Sequence, residues 1–180
     1  AVENIERIVL ETDAVMVARG DLAIETLPES VPIVQRKIIG LGMRYARPVI
    51  VATQMLASMT DMPEPTRAEV SDVATAVLLG TDCVMLSDET ANGNYPIESV
   101  EVMKRIILYA QENEPVEVYF KEFSASDRQT AISSAVISLA EQLEAKAIVA
   151  ETLTGATARQ ISSHRSQVPL IAVIRIAVEE

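Results

Sequence analysis

Aromatic residues are scarce in this sequence, whose 180 residues include no Trp, two Phe and four Tyr. The hydrophobic core is therefore expected to be aliphatic, built from Val, Ile, Leu, Ala and Met. Basic residues are also few: 26 acidic side chains outnumber 15 basic ones, which leaves a formal net charge of −11. Because nucleic acids bind to clustered Lys and Arg, this balance excludes a nucleic-acid-binding surface. An anionic substrate would need metal ions to bridge it to such an acidic protein.

Cysteines and long hydrophobic runs are nearly absent. The one cysteine, Cys83, excludes an internal disulfide and fits a reducing compartment. It lies in a short apolar run, so we expect a small buried hydrophobic side chain rather than a nucleophile. No run reaches the ~18 apolar residues that a membrane span needs, and the first residues do not resemble a signal peptide. These absences predict a cytoplasmic protein that does not contact a membrane.

The sequence does contain a repeat. Apolar runs at 14–18, 48–52 and 82–86 recur at a constant interval along the chain. Runs of this length, rich in Val and Ile, are typical of parallel strands that are buried on both faces. Amphipathic patterns between and after them predict three helices, over 31–46, 66–79 and 96–112. Their predicted inward residues are Val34, Ile38, Leu41 and Tyr45, then Val70, Val73, Ala74, Val77 and Leu78, then Val100, Met103, Ile107 and Ala110.

The alternation of strands and helices predicts an α/β fold. Right-handed βα units build either an open doubly wound sheet or a TIM (β/α)8 barrel. Three units cannot close an eight-stranded barrel, so this half is either an open layer or part of a barrel. A helical pattern already runs through 1–12 without an initiator Met, which is expected of a chain that begins inside a larger domain.

The pattern changes after residue 112. Residues 113–129 lack long periodicity and are predicted to be a linker between a first domain, 1–112, and a second, 130–180. The second is also α/β, with predicted helices at 130–143 and 156–164 and strands at 147–150 and 170–174. Two strands and two helices make a thin core, which indicates a partial domain.

Polar residues follow each of the first three predicted strands. They are Arg19, Gly20 and Asp21 after the first, Thr53 and Gln54 after the second, and Ser87, Asp88, Glu89 and Thr90 after the third. Because ligands bind at the carboxyl ends of parallel strands, we expect these groups to converge on a binding site.

Two of these residues suit anion and metal binding. The Asp21 carboxylate suits a hard divalent cation, and Gly20 lets the backbone approach a ligand closely. A purely structural alternative is equally compatible with the spacing: Arg19 pairs with Asp21, and the hydroxyls of Thr53 and Ser87 cap the helices that follow.

A further polar loop, TLTGAT at 152–157, lies between the strand and the helix of the second domain. Hydroxyls and a glycine at a helix N-terminus can bind phosphate, although the loop lacks the Lys of a Walker A motif. Helix capping is the alternative explanation.

Three segments resemble the pyruvate kinase family in order and spacing: MVARGDLAIE at 16–25, PVIVATQMLASM at 48–59, and EPTRAEVSDVATAVLLGTDCVMLSDETANGNYPIESV at 64–100. A weaker match runs through 130–175. The resemblance implies three C-terminal βα units of a TIM barrel, followed by part of a three-layer α/β C-terminal domain. It also implies phosphoryl transfer between phosphoenolpyruvate and ADP to give pyruvate and ATP in glycolysis. The implied cofactors are Mg²⁺ or Mn²⁺ together with K⁺, and the implied assembly is a homotetramer.

The resemblance also implies roles for individual residues. Asp21 would be a metal ligand, and the amides of Gly20 and Asp21 would bind the substrate carboxylate. Thr53 would be a substrate-binding and catalytic residue beside the pyruvate or enolate, and Ser87 a catalytic residue of the proton-delivery network. The residues of a possible effector loop are Thr152, Thr154, Gly155 and Thr157.

The family motifs that hold a metal-binding Glu and a catalytic Lys fall upstream of Ala1. The segment alone is therefore expected to be inactive. One alternative is a non-catalytic ligand-binding or assembly module that derives from the same fold. Another is a different Mg²⁺-dependent barrel enzyme, such as an aldolase, which would explain Asp21 but not the motifs of 64–100.

Overall fold

A computed structural model describes residues 2–114, 116 and 128–174. The chain divides into two compact units, Ala1–Tyr119 and Phe120–Glu180. Most of the predicted linker, 113–129, lies outside the described residues.

The first unit is built of repeating strands and helices, as the periodicity predicts. Its strands β1 to β3 are Val15–Ala18, Val49–Ala52 and Cys83–Met85. Its helices α1 to α6 are Ile5–Glu11, Arg19–Glu25, Val31–Arg44, Arg67–Leu78, Asp88–Ala91 and Pro96–Asn113. Three short 3₁₀ turns, Val2–Asn4, Pro28–Ser30 and Ala57–Thr60, complete it. The strands are parallel in the order β1-β2-β3, which brings their carboxyl ends to one edge.

Among its described residues, 128–174, the second unit has one parallel strand pair. Its elements in chain order are helix α7 (Arg128–Gln142), strand β4 (Ile148–Thr152), helix α8 (Ala156–Ser162) and strand β5 (Leu170–Ile174). Its small core is aliphatic and centres on Ile137, Ile148 and Ile161. The predicted order of elements in this half is thus confirmed.

The strand register follows the repeat only in part. Ala18 lies opposite Ala52, the equivalent position one full repeat further along the chain. Ala52 in turn lies opposite Met85 and not opposite its own equivalent, Leu86, which falls beyond the strand.

One face of the sheet carries the core. Val17 and Val51 are fully buried on this face, in a cluster with the aliphatic side chains of α1, α3, α4 and α6. Side chains alternate along a strand, so Met16, Ile50 and Cys83, which lie side by side in the register, belong to the other face. Met16 is 47% exposed and Cys83 is also exposed. The prediction that Cys83 is buried is therefore wrong, and burial on this face is uneven, because Met16 and Cys83 are exposed while Ala52 is fully buried.

The predicted inward faces of the helices are mostly confirmed. Two residues assigned to them, Val70 and Val100, are instead exposed. Val70 lies in the first turn of α4. In α6, Ser99 takes the inward place beside Val102 and Met103, because its hydroxyl is satisfied by the carbonyl of Tyr95 at 2.7 Å.

Two local features fix α3 and α4 in place. A Cβ atom at Gly42 would lie 2.2 Å from Val49 Cγ2, so α3 can approach β2 this closely only with glycine there. Helix α4 begins with a capping box: Glu69 N–H donates to Thr66 Oγ1 at 3.3 Å, and Thr66 N–H donates to the Glu69 carboxylate at 2.7 Å.

Within the described ranges, no helix combines the length and hydrophobicity that crossing a membrane requires.

Candidate active site

The loops after the three parallel strands of the first unit meet at the carboxyl edge of the sheet. The first contact joins the β1 and β2 ends: Gly20 N–H donates a hydrogen bond to Thr53 Oγ1 at 2.9 Å. The predicted convergence of Gly20 and Thr53 is thus confirmed, and the Thr53 hydroxyl binds across the strands instead of capping a helix.

The loop after β2, residues 53–60 and called here the β2 loop, begins with an unusual backbone. Thr53 and Gln54 have φ values of +72° and +53°, in the left-handed region that residues other than glycine rarely occupy. The Arg19 guanidinium holds this turn by donating to Thr53 O at 2.7 and 3.2 Å and to Gln54 O at 3.0 Å. Strained backbone of this kind persists where surrounding groups hold it, and it concentrates at functional sites.

Arg19 forms its ion pair with Asp72 of α4 and not with Asp21. This rules out the structural alternative in which Arg19 and Asp21 pair. Asp21 lies in the first turn of α2, where its side chain is exposed. Its carboxylate makes no hydrogen bond or ion pair to the residues that the structure describes.

Two buried or half-buried glutamates hold the rest of the β2 loop. Glu89, which is only 2% exposed, accepts hydrogen bonds from Leu56 N–H at 3.1 Å and from Ser87 N–H at 2.7 Å. Glu69 accepts from Ser58 N–H at 2.7 Å and from Ser58 Oγ at 2.5 Å. The loop is also packed from within, since its residues Met55, Leu56 and Met59 are fully buried.

The hydrogen bonds at Glu69 change its acidity. Burial raises the pKa of this carboxyl, but the hydrogen bonds from Ser58 and Thr66 outweigh burial and hold the pKa below its usual range. Glu69 therefore stays charged and keeps the loop tied to the start of α4.

Ser87 occupies the position before α5, yet its hydroxyl does not cap that helix. Its carbonyl accepts from Thr90 and Ala91, and its N–H is bound by Glu89. Within the described part of the chain, Ser87 Oγ makes no hydrogen bond, so its side chain is available to a ligand at this edge.

The side chains at this edge suit a metal site that is completed by water and substrate. They do not suit a site in which these residues supply every ligand. Among the described residues, no three His, Cys, Asp or Glu side chains are grouped closely enough to hold a metal ion. Mg²⁺ commonly binds through one or two carboxylates and completes its shell with water and substrate oxygens. The exposed Asp21 carboxylate fits one such ligand.

The candidate effector loop of the second unit has a different arrangement. Strand β4 ends at Thr152, two residues later than predicted, and Thr152 is buried, with its Oγ1 accepting from Gly155 N–H at 3.0 Å. Gly155 adopts φ +82°, which only glycine adopts readily. Thr154 and Thr157 are exposed and line a depression of about 490 Å³, which Glu151 also lines. The Thr152 hydroxyl thus closes the turn before α8, and the helix-capping alternative is wrong, because the start of α8 has no side-chain cap.

The sequence does not reveal the roles of two residues of the first site. The spacing presents Arg19 only as a partner of Asp21, and Glu89 only as one of the polar residues that follow the third strand. The repeat holds a signal for the first, because Arg19, Thr53 and Ser87 occupy equivalent positions in it and each follows a strand.

Comparisons with known proteins agree with this geometry. Residues 1–100 match the family model of the pyruvate kinase barrel domain, and 130–179 match that of the pyruvate kinase alpha/beta domain. The chain is 49% identical over 173 residues to pyruvate kinase 2 of Synechocystis, covering 96% of this chain and 29% of that protein. It is 44% identical over 175 residues to the pyruvate kinase of Thermotoga maritima, covering 96% of this chain and 37% of that protein.

A solved structure is also similar to this chain. A crystal structure of a pyruvate kinase from Cryptosporidium parvum matches with a TM-score of 0.84 at 42% identity, covering 95% of this chain and 36% of that one. The chain thus spans about a third of the length of the relatives it matches. The barrel-domain model matches more than half of the chain, and the parallel strands with their joined carboxyl-end loops agree with it. This chain therefore belongs to the pyruvate kinase family.

Proposed function

We propose that this chain supplies part of the active site of a pyruvate kinase that transfers a phosphoryl group between phosphoenolpyruvate and ADP to give pyruvate and ATP. One observation carries the proposal. Gly20 and Thr53 are joined by a 2.9 Å hydrogen bond at the carboxyl edge of the sheet, inside the segment that matches the barrel-domain model. That edge is where enzymes with this fold bind their substrates.

The substrate carboxylate binds at the start of α2. The N–H groups of the first helical turn have no partner within their helix, so the amides of Gly20 and Asp21 can donate to a carboxylate. The Gly20 N–H also donates to Thr53 Oγ1, so on substrate binding this N–H is shared between the two acceptors, and the Thr53 hydroxyl lies beside the bound substrate.

Asp21 is proposed to hold the divalent cation, Mg²⁺ or Mn²⁺, as one ligand of a site completed by substrate and by other residues of the enzyme. When bound, such a cation stabilises the negative charge that develops on phosphoryl and enolate oxygens. This explains how a chain with a net charge of −11 works on anionic substrates. K⁺ is the proposed monovalent cofactor, and we assign none of these 180 residues to it.

Thr53 and Ser87 are proposed to serve the proton-transfer step. The enolate that remains after phosphoryl transfer must gain a proton to become pyruvate. Thr53 lies beside the substrate carboxylate site, and the Ser87 hydroxyl makes no hydrogen bond among the described residues. Both can therefore take part in a chain of hydrogen bonds that delivers the proton.

The proposed setting is the cytoplasm, where glycolysis supplies phosphoenolpyruvate and ADP, and the proposed assembly is a homotetramer. No nucleic-acid or membrane partner is proposed. Thr154, Gly155 and Thr157 remain the proposed effector loop, with Thr152 supporting its turn.

The test is the Asp21→Ala substitution in a full-length pyruvate kinase that contains these 180 residues. A lost metal ligand removes several kcal/mol of transition-state stabilisation, so we expect kcat/KM to fall about 100-fold or more. The apparent KM for Mg²⁺ should rise as well. Pyruvate formation is measured at several Mg²⁺ concentrations.

Asp13→Ala is the matched control, because Asp13 is another exposed aspartate close to β1. It should retain the parent activity. An active enzyme whose Mg²⁺ dependence is unchanged by Asp21→Ala would contradict the metal assignment.

A further inference from the structure

Glu89 is the most deeply buried acidic side chain in the part of the chain that the structure describes. Its carboxylate joins two loops: one oxygen accepts from Leu56 N–H of the β2 loop at 3.1 Å, and the other accepts from Ser87 N–H at 2.7 Å. These two donors are distant in the sequence and follow different strands. A single side chain therefore links the two loops.

The main chain that carries Glu89 packs closely against the end of the β2 loop. A Cβ atom at Gly93 would lie 2.6 Å from the Glu89 carbonyl oxygen and 3.2 Å from Thr60 Cα. The neighbouring Asn94 N–H donates to Thr60 O at 2.8 Å. The segment that carries Glu89 is thus pressed against the end of the β2 loop.

The chemistry of the contact requires a carboxylate. Both donors are main-chain N–H groups, so both side-chain oxygens must accept. A glutamine of the same shape would offer one acceptor and would turn an NH₂ group toward the second N–H. Burying a carboxylate is costly unless its hydrogen bonds are satisfied, and a glutamate at this position is explained by the geometry it imposes.

The β2 loop has three charged anchors, and they differ in what they connect. Arg19 holds the turn at Thr53, and Glu69 ties Ser58 to the start of α4. Of the three, Glu89 is the one that connects this loop to Ser87. Thr53 and Ser87 are the two residues proposed for proton transfer, and Glu89 links Ser87 to the loop that begins at Thr53.

We infer that Glu89 is a positioning residue that holds Ser87 against the β2 loop, the loop that begins at Thr53, for the proton-transfer step. The inference rests on the proposed function. Glu89 does not contact the substrate itself, because its carboxylate is used by two main-chain amides. It acts through Ser87 and the β2 loop.

The test compares Glu89→Gln, Ser87→Ala and the double variant in the full-length enzyme. Because small misplacements of reacting groups are costly, we expect Glu89→Gln to lower kcat about 10- to 100-fold while the KM for phosphoenolpyruvate changes less than about threefold. If Glu89 acts through Ser87, the double variant should be no more than about threefold slower than the slower single variant. Loss of folded protein would instead multiply with the effect of Ser87→Ala.

Glu98→Gln is the control, because Glu98 is an exposed glutamate in the first turn of α6. It should leave kcat unchanged. Glu89→Asp keeps the charge but shortens the reach, so it should fold and should also lower kcat.

Three results would overturn the inference: unchanged kcat in Glu89→Gln, effects that multiply in the double variant, or failure of both Glu89 variants to fold. An inactive but folded parent enzyme would instead refute the proposed function, so the two failures are distinguishable.

Discussion

At the scale of single residues, charged side chains hold the backbone that carries Thr53. Two consecutive residues in the left-handed region cost roughly 1–3 kcal/mol each. Arg19 offsets this cost by binding two carbonyls of the turn and the Asp72 carboxylate at the same time. A planar guanidinium has enough donors for all three contacts, whereas a lysine ammonium cannot reproduce that fork. The Thr53 hydroxyl is thereby placed before any substrate arrives.

Contacts between residues that are distant in the sequence could not be predicted from the sequence. The strand-end positions of Gly20, Thr53 and Ser87 follow from periodicity. The partner of Arg19 does not, because Asp72 is distant in the sequence and its approach depends on how α4 packs. The role of Glu89 is equally hidden, since it depends on burial and on two main-chain donors that only the fold brings together.

His164, the one histidine of the sequence, predicts a pH dependence of stability in the second unit. Burial lowers the pKa of His164 below its ordinary value near 6.5. The unfolded chain then takes up a proton before the folded chain does. Stability is therefore full above the unfolded pKa and declines as the pH falls from there toward the folded pKa.

Thermal unfolding of the chain at about pH 7.5 and about pH 5.5 tests this, because histidine is the side chain that ordinarily titrates in that interval. The midpoint temperature for unfolding of the second unit should be lower at the lower pH, and His164→Gln should make this difference smaller. An equal difference in that variant would show that His164 is not responsible.

At the scale of elements, the start of α4 can be checked directly. Thr66→Ala removes the hydroxyl that accepts from Glu69 N–H, and loss of such a cap costs about 1 kcal/mol. Thr66→Ser keeps the hydroxyl and should cost much less. Denaturant unfolding of the two variants measures the difference, and equal stabilities would contradict a capping role.

The sequence predicts the elements more reliably than the faces they bury. The helix that the amphipathic pattern predicts over 66–79 is observed at Arg67–Leu78, where a capping box fixes its start. The assignment of Val100 is wrong, because apolar periodicity cannot show that Ser99 satisfies its own hydroxyl and takes the inward place. The assignment of Cys83 is wrong because a short apolar strand has the same pattern whether one face or both are covered.

At the scale of the whole molecule, the sequence and the structure support a segment of a pyruvate kinase. The three parallel strands form a sheet that the family match assigns to a barrel domain. The chain contributes Asp21, Thr53 and Ser87 to one edge of that sheet. By the resemblance, a further metal-binding Glu and a catalytic Lys belong to motifs outside residues 1–180. The proposed activity therefore depends on residues from a longer chain.

The most direct measurement of this claim is ADP-dependent pyruvate formation from phosphoenolpyruvate, with Mg²⁺ and K⁺ present. It compares the purified chain of 1–180 with a full-length pyruvate kinase that contains it, at equal molar concentration. We predict turnover by the full-length enzyme and none by the shorter chain. Comparable turnover by the shorter chain, or a folded full-length enzyme without activity, would contradict the account.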